Sequence, residues 1–159
     1  MAEHKTEKAT FAAGCFWGIE DAFRHLPGIL ETSVGYTGGT FENPSYHDIC
    51  LGNTGHAEAV QILFDPLKIS YEKLLSVFWK CHNPISRNRQ GNDTGFQYRS
   101  AIFTHTQEQQ TIAEASRQKL QTSKEIQGII VTEILPLTIF YRAEEYHQHY
   151  YAKQGGSCT

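Results

Sequence analysis

A junction of strand, glycine turn and helix near the start of the chain constrains its fold most. The apolar residues 9–13 lead into Gly14-Cys15-Phe16-Trp17-Gly18, and apolar side chains then recur with helical spacing as far as Leu26. This pattern predicts a buried strand, a tight turn and the first turn of a helix. The chain must therefore fold so that Cys15 lies where a strand ends and a helix begins.

This position makes Cys15 a candidate nucleophile. The first N–H groups of a helix have no partner within the helix, and with the helix dipole they stabilise an anion. We therefore expect the thiol pKa of Cys15 to lie below that of a free cysteine. Phe16 and Trp17 predict an apolar, aromatic wall beside it. The alternative is a buried structural cysteine, which is the commoner role of an isolated Cys.

Length and composition favour one globular domain. The chain has 159 residues, of which 40% are hydrophobic and 19% are charged. We assign residues 1–159 to a single domain, with a polar N-terminal extension over 1–7 and a C-terminal tail over 140–159. The net charge of -3 does not favour nucleic acid or an anionic membrane as a partner. No apolar run has the length of a membrane span, and residues 1–8 lack a signal-peptide core, so we expect a cytoplasmic protein. Our expectation of a monomer does not follow from these features, because the sequence does not give the oligomeric state.

Periodicity and turn residues predict alternating strands and helices. Strands are predicted over residues 8–13, 29–36, 58–64, 98–104 and 129–135, and helices over 15–26, 70–81 and 106–123. The polar residues 40–54 and 83–95 predict two long ordered loops. The order of elements favours an α+β fold, a two-layer ferredoxin-like sandwich with a mixed sheet and helices on one face.

Four further residues are candidates for acid chemistry or substrate binding. Glu58 begins an apolar strand, where partial burial raises a carboxyl pKa and favours a neutral proton donor. An edge glutamate that points to solvent is the alternative. Tyr46 and Tyr98 flank the strands around this position, and each places a hydroxyl within reach of a pocket, although a single tyrosine is more often core or surface. Asp93 lies between glycines and is either a turn residue or an orienting acceptor.

The other cysteines provide candidates for a second, resolving thiol. No Cys-x-x-Cys pair occurs among Cys15, Cys50, Cys81 and Cys158, which argues against a structural zinc site and a thioredoxin-type dithiol. Cys158 follows two glycines, and a glycine-rich tail allows a thiol to reach across a surface. We therefore favour Cys158 over Cys50 and Cys81, with an incidental terminal cysteine as the alternative.

Histidines raise the question of a metal site. His56, His82, His147 and His149 are candidate ligands, and the last two lie in one short segment with Glu144 and Glu145. Zinc sites need three or four ligands at suitable spacing and a closed second shell. Tyrosines separate the ligand candidates, which fits an amphipathic structural segment better. We therefore expect neither a metal nor another cofactor.

Five sequence blocks follow one another along the chain. They are Gly14-Cys15-Phe16-Trp17-Gly18, Val34-Gly35-Tyr36-Thr37-Gly38-Gly39, Gly55-His56-Ala57-Glu58-Ala59-Val60, Gln90-Gly91-Asn92-Asp93 with Gln97-Tyr98-Arg99-Ser100, and Glu145-Tyr146-His147-Gln148. Together they resemble the A-type peptide methionine sulfoxide reductases over nearly the whole chain. One block alone is moderate evidence, whereas five in order are highly specific.

The resemblance implies a ferredoxin-like α+β fold and a thiol-dependent oxidoreductase. Such enzymes reduce methionine sulfoxide, free or in proteins, with a preference for the S epimer at sulfur, and so repair proteins after oxidative stress. In them the residue at the position of Cys15 attacks the sulfoxide sulfur. Glu58 matches the acid that protonates the sulfoxide oxygen, with help from phenols at Tyr46 and Tyr98.

The resemblance also implies how substrate is held and how the enzyme is recycled. Phe16 and Trp17 match the aromatic wall that holds the substrate methyl group, and Asp93 matches a residue that binds the polar side of the substrate. The sulfenic acid on Cys15 then forms a disulfide with a second thiol, which thioredoxin reduces. Some family members carry two cysteines in the tail, whereas this chain has only Cys158.

Two other classes of protein remain open from the residues alone. A thiol peroxidase also passes through a sulfenic acid, and it is distinguished by reduction of peroxide without reduction of methionine sulfoxide. A small metal-binding or protein-interaction module would use the His-rich segment instead. Stoichiometric zinc in the purified protein would favour that interpretation.

Overall fold

A mixed six-stranded sheet lies at the centre of the computed structural model, which describes residues 5–52 and 54–154 apart from the side chains at positions 151 and 154. Its strands are β1 Glu7–Ala13, β2 Ile29–Thr37, β3 Ala57–Phe64, β6 Ser100–Thr104, β7 Glu133–Pro136 and β8 Phe140–Arg142, and a separate hairpin contains β4 Arg89–Gln90 and β5 Asp93–Thr94. The sheet order is β7-β6-β1-β3-β2-β8. All neighbours are antiparallel except β6 and β7, which are parallel.

Helices pack around this sheet. They are α1 Phe16–Arg24, α2 Tyr46–Leu51, α3 Tyr71–Lys80, α4 Gln107–Thr122 and α5 Tyr150–Gln154. Ser70 and Thr106 cap α3 and α4, because their hydroxyls accept backbone N–H groups of the first turn. The α+β class and the mixed sheet are therefore confirmed. In the described part of the chain, no helix combines the length and the apolar character that crossing a bilayer requires.

The two faces of the central strands belong to different hydrophobic clusters. Phe11 of β1 stacks with Phe23 of α1 and Phe78 of α3, with ring centroids 5.4 and 5.1 Å apart. Val60 of β3 belongs to the same buried cluster, whereas Ala59 belongs to a smaller cluster with β6 and β8 residues. Because strand residues alternate between faces, even-numbered positions of β3 point toward the helices. Glu58 shares that parity.

Several predicted boundaries differ from the structure, and the predicted loop over residues 83–95 contains the hairpin of β4 and β5. The predicted loop over residues 40–54 contains α2, which begins with a capping box in which Ser45 and Asp48 exchange hydrogen bonds. Tyr98 lies in the 3₁₀ turn Phe96–Tyr98, so the strand predicted from 98 begins at Ser100. The last predicted strand begins at Glu133 rather than at 129. Polar residues hid the start of α2, whereas the apolar residues 129–131 continue the strand pattern ahead of β7 although the N–H of Val131 donates to the carbonyl of Pro84 instead.

Two turns pack closely where β2 ends and β3 begins. The backbone N–H of Gly39 donates to Nδ1 of His56 at 3.0 Å, and that of Thr40 donates to the carbonyl of Thr54 at 3.3 Å. A Cβ at Gly39 would lie 2.5 Å from backbone atoms of Gly55 and Thr54. This turn therefore requires glycine because of space, and it fixes the chain just ahead of Glu58.

Gly39→Ala should destabilise the protein more than Gly52→Ala. The added methyl at position 39 meets only backbone, so the turn must move, at a cost of roughly 1–3 kcal/mol in the free energy of unfolding. Gly52 is the matched control, because its φ is +82° but nothing lies within 4 Å of an added Cβ. Strain alone should cost about 1 kcal/mol there. Urea denaturation measures both losses, and equal losses would contradict the packing argument.

Candidate active site

Cys15 lies at the junction that the sequence predicts. Gly14 turns the chain after β1 with a φ of +105°, and Cys15 is the N-cap residue of α1. A Cβ at Gly14 would lie 2.9 Å from the side chain of Gln90, so glycine suits both the turn and this close approach. Backbone N–H groups of Trp17 and Gly18 interact with the thiol of Cys15. The start of the helix therefore presents donors to the sulfur.

Glu58 is buried beside the start of α1. It pairs with Tyr36 across β2 and β3 and is 2% exposed. Its Oε1 accepts a hydrogen bond from the N–H of Phe16 at 3.2 Å, whereas its buried Oε2 has no partner among the described residues. Burial raises the pKa of Glu58 to about 8, against the lowering effect of the Phe16 N–H. The carboxyl is therefore mostly protonated at neutral pH, as predicted.

The expected lowering of the Cys15 pKa is wrong. Burial first, and the charge of Glu58 second, raise the pKa of the thiol to about 12, and the N–H groups of Trp17 and Gly18 offset only part of this. The sequence pattern identifies the helix start but not the depth of the thiol or the carboxyl beside it. Because protonation of Glu58 removes the opposing charge, the ionisations of the two groups are coupled.

The three other polar residues predicted for the site lie in the same cluster. Burial, and then the charge of Glu58, raise the pKa values of both Tyr46 and Tyr98. The charge of Asp93 in β5 also raises the pKa values of Glu58, Cys15 and Tyr98. Such effects weaken with distance, so they indicate that these groups are close together. Both phenols are neutral hydrogen-bond donors at neutral pH.

Phe16 and Trp17 differ in what they offer a substrate. Phe16 is 1% exposed and packs between the rings of Tyr36 and His147, with centroids 5.7 and 5.2 Å away. Trp17 is only half-buried, stacks on Tyr150 at 4.0 Å, and donates from Nε1 to Nδ1 of His147 at 3.0 Å. Trp17 is therefore the accessible part of the predicted aromatic wall, and Phe16 supports it from within the core.

Three residues of this region received no role from the sequence. The hydroxyl of Tyr36 donates to Oε1 of Glu144 at 3.0 Å, and the N–H of Tyr46 donates to Oε2 of the same carboxylate at 2.9 Å. His147 is fully buried between aromatic rings. Two of the five sequence blocks contain Tyr36 and His147, so the sequence does mark these two residues as part of the family pattern. No local pattern, however, shows which side chains of a block reach the site.

Arg99 holds together the segments that carry Glu58 and Tyr98. Its Nη2 donates to the carbonyl of Gly55 at 3.0 Å, and its Nη1 donates to the carbonyl of Phe96 at 3.1 Å. The guanidinium is nearly buried and also pairs with Glu133 at 3.1 Å. A planar cation with several donors can satisfy all these acceptors at once.

The histidines considered as metal ligands take part in separate hydrogen bonds. His56 contacts Gly39 and Phe41, His82 contacts Phe78 and Ser100, His147 contacts Trp17, and His149 contacts Glu20 and Thr32. Within residues 5–52 and 54–154, no three His, Cys, Asp or Glu side chains are grouped so that they could hold a metal. Each of these rings therefore has at least one hydrogen-bond partner, although the buried Nε2 of His147 has none among the described residues.

The candidate resolving thiols have different surroundings. Cys50 is exposed on α2, and Cys81 is a partly buried C-cap residue of α3. Cys15 and Cys50 are free thiols, whereas the thiol of Cys81 donates to the carbonyl of Phe78 at 3.3 Å. Cys158 lies outside the described residues, so its predicted role stays a prediction.

Comparison with known proteins decides the family. The sequence profile described as "Peptide methionine sulfoxide reductase" matches residues 7–159. A protein of Methanoculleus marisnigri named "Peptide methionine sulfoxide reductase MsrA" is 55% identical over 157 residues, which cover 98% of this chain and 96% of that protein. The chain belongs to the MsrA family of peptide methionine sulfoxide reductases.

Solved structures agree with this assignment. Mxr1 from Saccharomyces cerevisiae in reduced form matches with a TM-score of 0.90 and 33% identity, over 99% of this chain and 91% of that one. Methionine sulfoxide reductase A of Corynebacterium diphtheriae matches with a TM-score of 0.86 and 38% identity, over 99% of this chain and 79% of that one. The resemblance of the five sequence blocks is confirmed. The protein is an oxidoreductase of a family that reduces methionine sulfoxide.

Removing the charge at position 58 should make the Cys15 thiol easier to ionise. In Glu58→Gln its pKa should fall below about 12 but stay above 9.0, because the carboxylate is lost while burial remains. Only the thiolate is alkylated, so labelling of Cys15 should become faster at a fixed pH above the Glu58 pKa of about 8. Peptide mass spectrometry measures this rate.

Asp93→Asn is the matched control for the alkylation experiment. Its charge makes the smallest of the contributions that raise the Cys15 pKa, so it should accelerate labelling less than Glu58→Gln does. Equal labelling rates in wild type and Glu58→Gln would show that the carboxylate does not act on the thiol.

Proposed function

We propose that this protein reduces methionine S-sulfoxide, free or in proteins, with Cys15 as the nucleophile and Glu58 as the acid. The observation that carries the proposal is the carboxyl of Glu58. It is buried, its pKa is raised to about 8, it bonds the N–H of Phe16, and its second oxygen has no partner among the described residues. A sulfoxide oxygen leaves poorly until it is protonated, so this reaction needs a neutral acid beside a sulfur nucleophile.

The proposed first step moves the sulfoxide oxygen to Cys15. It starts with both Cys15 and Glu58 protonated, as their raised pKa values favour at neutral pH. The sulfur of Cys15 attacks the sulfoxide sulfur, Glu58 protonates the oxygen, and the carboxylate of Glu58 takes the thiol proton. Attack joins the two sulfurs. The oxygen of this adduct then migrates to the Cys15 sulfur, so that the sulfur–sulfur bond and the substrate sulfur–oxygen bond break, methionine leaves, and Cys15 carries the oxygen as the hydroxyl of a sulfenic acid. Methionine sulfur is reduced by two electrons and Cys15 is oxidised by two.

The other side chains of the cluster fit the shape and polarity of this substrate. Tyr46 and Tyr98 are neutral phenols close to Glu58, so they can donate hydrogen bonds to the same oxygen. Trp17, supported by Phe16, offers an apolar surface for the methyl group. Asp93 offers a charge for the polar side of the substrate. Because these side chains fix the oxygen, the methyl group and the polar side of the substrate in three separate positions, one epimer at sulfur can react.

The proposed recycling uses a second thiol and an external dithiol. Cys158 condenses with the sulfenic acid on Cys15, which forms a disulfide and releases water, and thioredoxin then reduces that disulfide by exchange. The choice of Cys158 rests on the sequence, in which Gly155 and Gly156 precede it, because glycine restricts the backbone least. Mxr1 from Saccharomyces cerevisiae, a structural neighbour, has been solved in complex with Trx2; that chain matches with 24% identity and a TM-score of 0.65.

The setting of the reaction follows from composition and chemistry. We propose a cytoplasmic monomer that acts without metal or cofactor in the repair of oxidised proteins. The free thiols of Cys15 and Cys50 fit a reducing compartment. Electrons come from thiols at every step, so the cycle needs no redox cofactor.

We also propose that the centre of the fold is an extended ferredoxin-like arrangement. The elements β1, α1, β2, β3, α3 and β6 follow the order β-α-β-β-α-β, and their strands stand in the antiparallel order β6-β1-β3-β2. The strands β7 and β8 extend this core at its two edges.

Glu58→Gln should slow methionine release in a single turnover by about 10²–10⁴-fold, the usual contribution of a general acid, because an amide transfers no proton. The wild-type rate should fall as pH rises through about 8, since the neutral carboxyl is lost there. Glu58→Gln should lack this decline. Quenched-flow chromatography of released methionine measures both rates. A wild-type rate that climbs between pH 8 and 12 would mean that thiolate must form before attack.

The same assay tests the function as a whole. With thioredoxin as reductant, wild type should turn over the S epimer of methionine sulfoxide and not the R epimer. Cys15→Ser should be folded and inactive. Reduction of hydrogen peroxide without reduction of either epimer would overturn the proposed function in favour of a thiol peroxidase.

Cys158→Ser should separate the first step from recycling. It should still release about one methionine per enzyme, because formation of the sulfenic acid needs only Cys15. Turnover with thioredoxin should fall sharply, since a tethered thiol with a high effective concentration is lost. Cys81→Ser is the matched control and should turn over normally. Cys50→Ser changes a side chain that bonds Tyr46, so its test is that oxidation still forms the Cys15–Cys158 disulfide. A disulfide of Cys15 with Cys50 or Cys81 in peptide maps of oxidised wild type would disprove the role of the tail.

A further inference from the structure

A carboxylate outside the proposed reaction joins two parts of the site. Glu144 follows β8 and accepts hydrogen bonds through both of its oxygens. Its Oε1 accepts from the hydroxyl of Tyr36 at 3.0 Å, and its Oε2 accepts from the backbone N–H of Tyr46 at 2.9 Å. These partners lie 108 and 98 residues away along the chain. Glu144 therefore ties the C-terminal segment to β2 and to α2 at once.

The bond to Tyr46 fixes the backbone from which its phenol extends. Tyr46 is the first residue of α2, so its N–H has no acceptor within the helix. Asp48 and Ser45 satisfy each other in the capping box and leave the N–H of Tyr46 to Glu144. A helix of six residues is marginal by itself, and contacts with the rest of the protein must hold it in place.

The bond to Tyr36 ties the same carboxylate to the sheet beside Glu58. Tyr36 and Glu58 are direct cross-strand partners of β2 and β3, so their side chains lie on the same face. Tyr36 is fully buried, and its ring is held against Phe16 with centroids 5.7 Å apart. A chain of fixed contacts therefore runs from Glu58 through Tyr36 and Glu144 to Tyr46.

Glu144 is ionised in this position. Partial burial acts to raise its pKa, but the N–H groups of Tyr46 and of Glu144 itself and the hydroxyl of Tyr36 outweigh burial, and the pKa lies below its usual value. Hydrogen bonds to a carboxylate are shorter and stronger than those between neutral groups. Both links of Glu144 are of this stronger kind.

We propose that Glu144 is a positioning residue, which holds the phenol of Tyr46 in register with the carboxyl of Glu58 so that both reach the same sulfoxide oxygen. The inference rests on the proposed roles of Tyr46 and Glu58. Glu144 does not need to touch the substrate, because its two oxygens are already engaged by Tyr36 and Tyr46. It should therefore affect the rate of the chemical step and leave the affinity for substrate unchanged.

A double-mutant cycle between Glu144 and Tyr46 tests this role. Glu144→Ala should slow single-turnover release of methionine from the S epimer by about tenfold, less than the roughly 10²–10³-fold that loss of a transition-state donor itself costs. Tyr46→Phe removes the hydroxyl and keeps the ring. In the Tyr46→Phe background, Glu144→Ala should cause no further loss, because nothing is left to position. The substrate concentration at half-maximal rate should stay that of the parent in each background.

Two further variants make the cycle specific. Glu144→Gln keeps one acceptor oxygen for the Tyr46 N–H, so it should recover part of the rate lost in Glu144→Ala, and it replaces Glu144→Ala in the cycle if that variant does not fold. Glu145→Ala is the matched control, because this neighbouring carboxylate is 75% exposed and forms an ion pair with Arg142 at 2.8 Å rather than with Tyr36 or Tyr46. It should retain the wild-type rate.

Several outcomes would overturn the inference. They are an equal loss from Glu144→Ala in wild-type and Tyr46→Phe backgrounds, a change in substrate affinity alone, a Glu145→Ala loss as large as that of Glu144→Ala, or an unchanged rate in Tyr46→Phe. Failure of the proposed function looks different, since wild type itself would then release no methionine from the S epimer.

Discussion

The hydrogen bond from the N–H of Phe16 to Glu58 joins the two halves of the site. Phe16 supplies one of the free N–H groups at the start of α1, and Glu58 lies near the start of β3. Because Cys15 directly precedes Phe16, this bond brings the thiol and the carboxyl together. It uses only one carboxyl oxygen and leaves the other without a partner among the described residues. The aromatic residues around it then bury both groups, and burial sets their pKa values.

Burial of Glu58 costs stability in a pH-dependent way. An unfolded Glu ionises with a pKa of 4.5, whereas the folded value is about 8. Below 4.5 both states are protonated and the group has no effect. Between these values the unfolded state loses its proton and the folded state keeps it. The free energy of unfolding therefore falls as pH rises, by about a few kcal/mol in total. The aromatic core around Phe11 and the close turns at Gly39 offset this cost.

The sequence predicts features that depend on neighbours along the chain. The helix start at Cys15 and the burial of Glu58 follow from local periodicity, and both are confirmed. The pKa of Cys15 has the opposite sign to the prediction, because its largest causes are burial and a carboxyl 43 positions away in sequence. The short helix α2 and the links made by Glu144 depend on contacts about 100 residues apart, which no local pattern encodes.

The raised pKa values of Cys15 and Glu58 agree with the proton balance of the proposed reaction. A thiol and a sulfoxide give a sulfenic acid and a sulfide with no net uptake or release of protons. Glu58 gives one proton to the oxygen and receives one from the thiol, so it ends the step as it began. A buried site in which the thiol and the carboxyl are both protonated at the start therefore needs no proton from solvent. A site that starts with a thiolate would have to take up a proton from solvent. The burial that makes Cys15 a weak acid is thus compatible with its proposed role as nucleophile, because in the proposed step the proton leaves during attack rather than before it.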